Sequence, residues 1–352
     1  MAAVTAERVS ALLQRQPPRR WLVTGAAGFI GSNLVEALLA AGQQVIGFDN
    51  FSTGHRRNLV EVQRVVGPSA WSGFEMVEAD LCDAESCRRA TAGVEVVLHQ
   101  AALGSVPRSL EDPMRSFQSN ATGFAQILTA AKDAGVQRFV YASSSSVYGD
   151  HPALPKVEAQ VGAVMSPYAA TKAIDELLAG VFARSYAIQC VGLRYFNVFG
   201  PRQDPEGAYA AVVPRWTAGL LRGEAIWVNG DGQTSRDFCY VANAVQANLL
   251  AALVPSLPTA HEVFNVAAGR RTTLMELFEA IRVSLEGHLG RSLPAEPQFR
   301  EFRPGDVRHS LADISRAERL LGYAPTHDVE AGLEAAMRWY VEALQQDTPS
   351  AD

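Results

Sequence analysis

Cysteine is scarce in this chain: 352 residues contain four thiols, Cys82, Cys87, Cys190 and Cys239. Their spacings fit no zinc-ligand pattern, and a chain of this length needs no disulfide framework. The seven histidines are scattered and form no ligand pair, so no metal is expected. Long apolar runs are missing as well, which excludes a bilayer-spanning helix. Near the start there is no signal-peptide core; Val9, Leu12 and Leu13 fall on one side of a short helix that Pro17 and Pro18 end. A cytoplasmic protein is the expectation. Blocks of like charge are absent too. With a net charge of −6, binding to nucleic acid or to a membrane surface has no electrostatic basis. Lysine is the rarest charged residue, three among 31 basic residues, so a precisely placed lysine stands out.

What the chain does have is apolar substance, 48% of its residues, in a pattern that alternates. Strand-like runs at 21–24, 44–48, 74–78, 94–99, 138–142 and 190–195 are separated by helical stretches such as 30–41, 119–134 and 167–186. Apolar strands divided by helices predict a doubly wound parallel α/β sheet, with ligands at the carboxyl ends of its strands. After Gly200 the rhythm breaks. A loop-rich stretch at 201–232, a short strand at 264–267 and helices near Thr273 and Asp328 predict a second, smaller α/β lobe. The expected division is a dinucleotide domain over 20–201 with a return segment at about 233–262, a lobe from 202–232 and 263–345, and an N-terminal helical extension over 1–19.

The first strand runs into Gly25-Ala-Ala-Gly28-Phe-Ile-Gly31 and then a helix. Gly25 suits a tight turn, Gly28 a close approach of backbone to pyrophosphate, and Gly31 close packing of helix on strand. The helix N-terminus adds unpaired N–H groups. Asp49 ends the second strand, where a carboxylate accepts from ribose hydroxyls and repels a 2′-phosphate; this favours NAD, although Arg56 and Arg57 follow closely and would suit NADP. Asp80 is either a contact to the adenine edge or a helix N-cap.

The sharpest chemical signal is Ser166-Pro-Tyr168-Ala-Ala-Thr-Lys172. Tyr168 and Lys172 are four apart and share one helical face. An adjacent ammonium favours the phenolate, which makes Tyr168 a candidate base; the alternative is an exposed amphipathic pair. The run Ser143-Ser144-Ser145-Ser146 closes the fifth strand and puts hydroxyls where ligands sit.

Together these residues resemble the extended short-chain dehydrogenase/reductase family, a Rossmann-fold family, from 21 to about 340. Within it the chain is most similar to NAD-dependent UDP-N-acetylglucosamine 4-epimerases that supply surface polysaccharide. The resemblance implies that NAD is held by Gly25, Gly28, Phe29, Ile30, Gly31, Asp49, Asn50, Ser52, Gly54, Asp80 and Leu81. It assigns the nicotinamide half to Gln100, Ala101, Ala102, Asn120, Tyr168, Lys172, Tyr195 and Val198. Ser144, Tyr168 and Lys172 would be catalytic. The UDP-sugar would meet Gly104, Ser105, Ser144, Ser145, Ser146, Tyr168, Asn197, Gln203, Ala211, Val212, Trp216, Asn229, Arg236, Arg303 and Ser310. Tyr168 would deprotonate the sugar 4-hydroxyl, and a 4-keto sugar would turn over before reduction from its other face. Where relatives that carry out 4,6-dehydration have an Asp-Glu pair, this chain has Ser145 and Ser146, which argues against elimination. Small residues at Gly104, Ala211 and Ser310 imply room for an N-acetyl group at C2. A homodimer is implied as well.

Three rivals remain at this stage. One is a 4-epimerase or decarboxylase of a UDP-hexuronic acid, for which Arg108 or another cationic side chain would be the carboxylate contact. A UDP-glucose 4-epimerase is the second. A regulator that binds a dinucleotide without catalysis is the third.

Overall fold

The computed structural model describes residues 13, 17–206, 210–294, 296–302 and 307–346. Most of the proposed N-terminal extension, and the turn holding Arg303, lie outside the described residues. Strands β1 (Arg20–Thr24), β2 (Gln44–Asp49), β3 (Phe74–Glu78), β4 (Val96–His99), β5 (Arg138–Ser144), β6 (Gln189–Tyr195) and β7 (His261–Val266) form one sheet. Its order is β3-β2-β1-β4-β5-β6-β7, and every pair is parallel. Order reverses between β1 and β4, which opens a crevice at their carboxyl ends. A doubly wound α/β sheet is what the alternating pattern predicts.

Both faces are covered, which is why the central strands are almost uniformly apolar. On one face Leu34, Val35 and Leu38 of α1 (Phe29–Ala40) pack with Ala244, Ala247 and Leu250 of a later helix (Val241–Leu253). The other face buries Phe124, Ile127 and Leu128 of α2 (Gly123–Asp133) with Ala179 and Ala183 of α3 (Pro167–Ser185). Burying each such Leu, Ile or Phe contributes roughly 1.5–3 kcal/mol. A third apolar cluster, with Trp216, Val228, Phe238, Leu277, Ile281 and Met337, is the core of the smaller lobe.

One boundary differs from expectation. Of the run read as 264–267 of the smaller lobe, residues 264–266 are the end of β7, which pairs Val263 with Gly192 and Phe264 with Leu193 in the main sheet. A short apolar run does not encode which sheet it joins. That choice is made by pairing with β6, some 70 residues earlier.

Candidate active site

The glycine loop has the demands its spacing suggests. Gly25 has φ of +67°, and a Cβ on it would lie 2.8 Å from the Ala101 nitrogen. At Gly31 a Cβ would meet the Gly25 carbonyl, so loop and helix approach closely. Gly28 is the N-cap of α1 and offers no side chain, which leaves the helix N-terminus open to an anion. Asp49 also has a structural part. Its Oδ2 accepts from the Ala27 nitrogen at 2.9 Å and its Oδ1 from the Phe51 nitrogen at 2.8 Å, tying β2 to the loop. Burial pushes its carboxyl up, against those two backbone bonds. Lone pairs remain for a ribose hydroxyl.

Asp80 does not cap a helix; the cap of the next helix is Asp83, which accepts from Glu85. Instead Asp80 accepts from Asn50 Nδ2 at 2.6 Å and the Cys82 nitrogen at 2.8 Å, on the crevice wall. The arginines that left NADP open are engaged elsewhere. Arg56 donates to Glu78 at 2.6 Å, and Arg57 lies 3.7 Å from Asp204.

A cavity of about 470 Å³ gathers nearly every residue proposed for the dinucleotide: the glycine loop, Phe29, Ile30, Asp49, Asn50, Ser52, Gly54, Asp80, Leu81, Gln100, Ala101, Ala102, Tyr168, Lys172, Tyr195 and Val198. These residues fit a dinucleotide: an uncapped helix N-terminus, a cradle that any Cβ would fill, and a carboxylate at the strand tip. Asn120 is the exception. It is buried behind the wall, where its Oδ1 accepts from the Leu103 nitrogen at 2.7 Å and its Nδ2 donates to Thr171. It supports the crevice without lining it.

Ser166 caps α3 by accepting from the Ala169 nitrogen at 3.1 Å, and Pro167 takes the first helical position. This start puts Tyr168 and Lys172 in the first two turns, both on the cavity wall. Tyr168 is half-buried, while Lys172 is buried, with Nζ donating to the Ala142 carbonyl at 2.9 Å. Ser144 also lines the cavity, and its Oγ accepts from the Ser146 nitrogen at 3.1 Å. The exposed amphipathic alternative for the Tyr168–Lys172 pair is therefore excluded.

A second cavity, of about 1050 Å³, meets the first at Gly104 and Asn197. Ser105, Ala211, Val212, Trp216, Asn229 and Arg236 line it, all of them expected. Gln203 lies on the first cavity. Three expected sugar contacts line neither. Ser145 and Ser146 turn into a short 3₁₀ segment after β5, and the Ser146 hydroxyl is buried without a protein partner among the described residues. Ser310 bonds its nitrogen to the Ser235 carbonyl at 3.0 Å, off the cavity walls. Arg108 lines neither cavity.

Several contributors carried no sequence signal. Asn248 donates to the Tyr195 hydroxyl at 2.7 Å and accepts from Gln100 Nε2 at 3.0 Å, bracing two cavity residues. Arg215, Trp227 and Arg300 line the second cavity. Arg300 is held there by Asn229 at 2.6 Å, its register partner across a short strand pair.

Residues 21–267 match the NAD dependent epimerase/dehydratase family. A UDP-glucose 4-epimerase of Mycolicibacterium smegmatis is 38% identical over 91% of this chain and 98% of its own length. The solved UDP-N-acetylglucosamine 4-epimerase of Methanobrevibacter ruminantium, in complex with UDP-N-acetylmuramic acid, superposes with a TM-score of 0.85 at 36% identity, covering 93% of this chain and all of that one. The UDP-glucuronic acid 4-epimerase of Bacillus cereus, solved with UDP-glucuronic acid and NAD, gives 0.80 at 31% identity, covering 92% and 99%.

Proposed function

We propose a specific substrate pair on one premise: the chain belongs to the NAD dependent epimerase/dehydratase family and is a UDP-sugar 4-epimerase that uses NAD. The pair is UDP-N-acetylglucosamine and UDP-N-acetylgalactosamine, interconverted as precursors for surface polysaccharide.

One observation carries this choice. Gly104 lies where the two cavities meet, its φ is outside the left-handed region, and a Cβ there would touch nothing within 4 Å. Neither backbone strain nor crowding asks for glycine at this position. Room for a ligand does, and Ala211 keeps the same cavity wide.

In this reading Tyr168 takes the proton of the 4-hydroxyl and later returns it, while Ser144 Oγ hydrogen-bonds the same oxygen. Lys172 presents its ammonium on the cavity wall that it shares with Tyr168. NAD held by the glycine loop, Asp49 and Lys172 would supply the hydride acceptor and donor for C4. Asn229, Arg236 and Arg300 are suited to hold the anionic diphosphate while the oxidised sugar turns over in the wider cavity. The enzyme is expected in the cytoplasm, in keeping with four unpaired thiols.

A UDP-hexuronic acid is the second reading, favoured by Arg215 and Arg300 on the cavity wall. Incubation with a panel of UDP-sugars, followed by chromatography, separates the two. The acetylated pair should interconvert fastest, with no NAD added, because each turnover regenerates the cofactor. Faster conversion of UDP-glucuronic acid or UDP-glucose, or a strict need for added NADPH, would remove the proposal.

A second copy of this chain is the proposed partner. Leu110, Met114, Phe117, Leu177 and Val181 are exposed on α3 and the two short helices packed against it, a patch suited to pairing across a two-fold. A monomer in sedimentation velocity at working concentration would dismiss it.

A further inference from the structure

Behind the catalytic pair lies a carboxylate that the reaction scheme does not use. Asp175 follows Lys172 by three positions on α3, and its Oδ2 is 3.2 Å from Lys172 Nζ. The two side chains are 0% and 2% exposed. The remaining oxygen, Asp175 Oδ1, is buried without a protein partner among the described residues. A carboxylate so poorly served by hydrogen bonds is costly to bury unless its charge does something.

Other charges nearby do not balance Lys172. Glu176, the next residue, is occupied by Arg194 of β6, at 2.8 and 2.9 Å, and by the Ser143 hydroxyl. His99 of β4 is buried, bonded to Thr24 Oγ1, and held neutral: desolvation, then the Lys172 charge, push it down to about 3. Tyr141 of β5 is buried, raised by desolvation, and bonded to His261 of β7, itself lowered by burial. Asp175 remains as the counter-charge.

We propose that Asp175 is a positioning residue whose carboxylate keeps the buried Lys172 amine charged and held on the cavity wall that it shares with Tyr168. Burial pushes the Asp175 carboxyl up to about 7 and the Lys172 ammonium pulls against that rise, so the carboxylate depends on Lys172 as much as the amine depends on it. Without Asp175 the ammonium would be left buried with only the Ala142 carbonyl as its partner, a charge with no counter-charge.

This inference rests on Tyr168 acting as the base, and its test keeps the two apart. In Asp175→Asn, which preserves shape, the ionisation of Tyr168 should move up by about one pH unit, the scale of a single neighbouring charge. It is read from tyrosinate absorbance as the difference from Tyr168→Phe. The acid limb of the kcat profile should move with it, lowering turnover about tenfold near neutral pH with KM little changed and recovery in alkali. Asp175→Glu keeps the charge and should restore the wild-type limb. If Asp175→Asn does not fold, Asp175→Ser removes the same charge with a smaller side chain. A lowered melting temperature with both curves unmoved would show that Asp175 only fills the core and would overturn the inference. A downward shift would overturn it too, by showing that the carboxylate acts on Tyr168 directly. Near-normal turnover in Tyr168→Phe would instead defeat the reading on which it rests.

Discussion

Tyr168→Phe is expected to leave the fold and NAD content intact and to lower turnover by about 10²- to 10⁴-fold, the usual contribution of a positioned acid–base group. The fold should survive because the backbone around Tyr168 does not depend on its hydroxyl. The Tyr168 nitrogen donates to Ser109 Oγ at 3.0 Å, and Ser166 caps the helix, independently of the phenol. The loss should fall on kcat, since a proton in flight is bound only in the transition state. Single-turnover kinetics with UDP-N-acetylglucosamine, next to cofactor content and circular dichroism, measure it. A folded variant that keeps NAD and turns over within a few-fold of wild type would take Tyr168 out of the chemistry.

Gly104→Leu addresses substrate choice with the next largest effect. The backbone at Gly104 accepts a side chain, since its Cβ position is open, so the variant should fold. Its side chain would project where the two cavities meet. Overfilling a ligand site costs about 1–3 kcal/mol, which is roughly 10- to 10²-fold in kcat/KM. That loss should fall on UDP-N-acetylglucosamine and UDP-N-acetylgalactosamine, and less on UDP-glucose and UDP-galactose. Because discrimination is a ratio of kcat/KM values, both pairs must be measured in both proteins. Equal losses on both pairs would mean that Gly104 faces some other part of the ligand. Ser310 is the weaker place for such a test, because it lies off the cavity walls.

Sequence alone determined whatever is written in local spacing. Alternating apolar strands and helices specify a parallel, doubly wound sheet. A strand followed by Gly25, Gly28 and Gly31 specifies a phosphate loop, and Ser166-Pro167 starts a helix that sets Tyr168 and Lys172 on one face. These are periods and caps, decided within a few residues. Tertiary structure alone decided what depends on the path of the chain. It placed β7 in the main sheet, and it brought Asn248 across 148 positions to brace Gln100. It spent the oxygens of Asp49 on backbone as well as opening it to a ligand, and it folded Ser145 and Ser146 into a short 3₁₀ segment off the two cavity walls. It set Asp175 against Lys172 in a space sealed by β5. The spacing of that last pair was visible, but its burial was not. Solvent exclusion comes from elements far apart in sequence closing over the pair, and it is what turns an ordinary surface ion pair into a strongly coupled one.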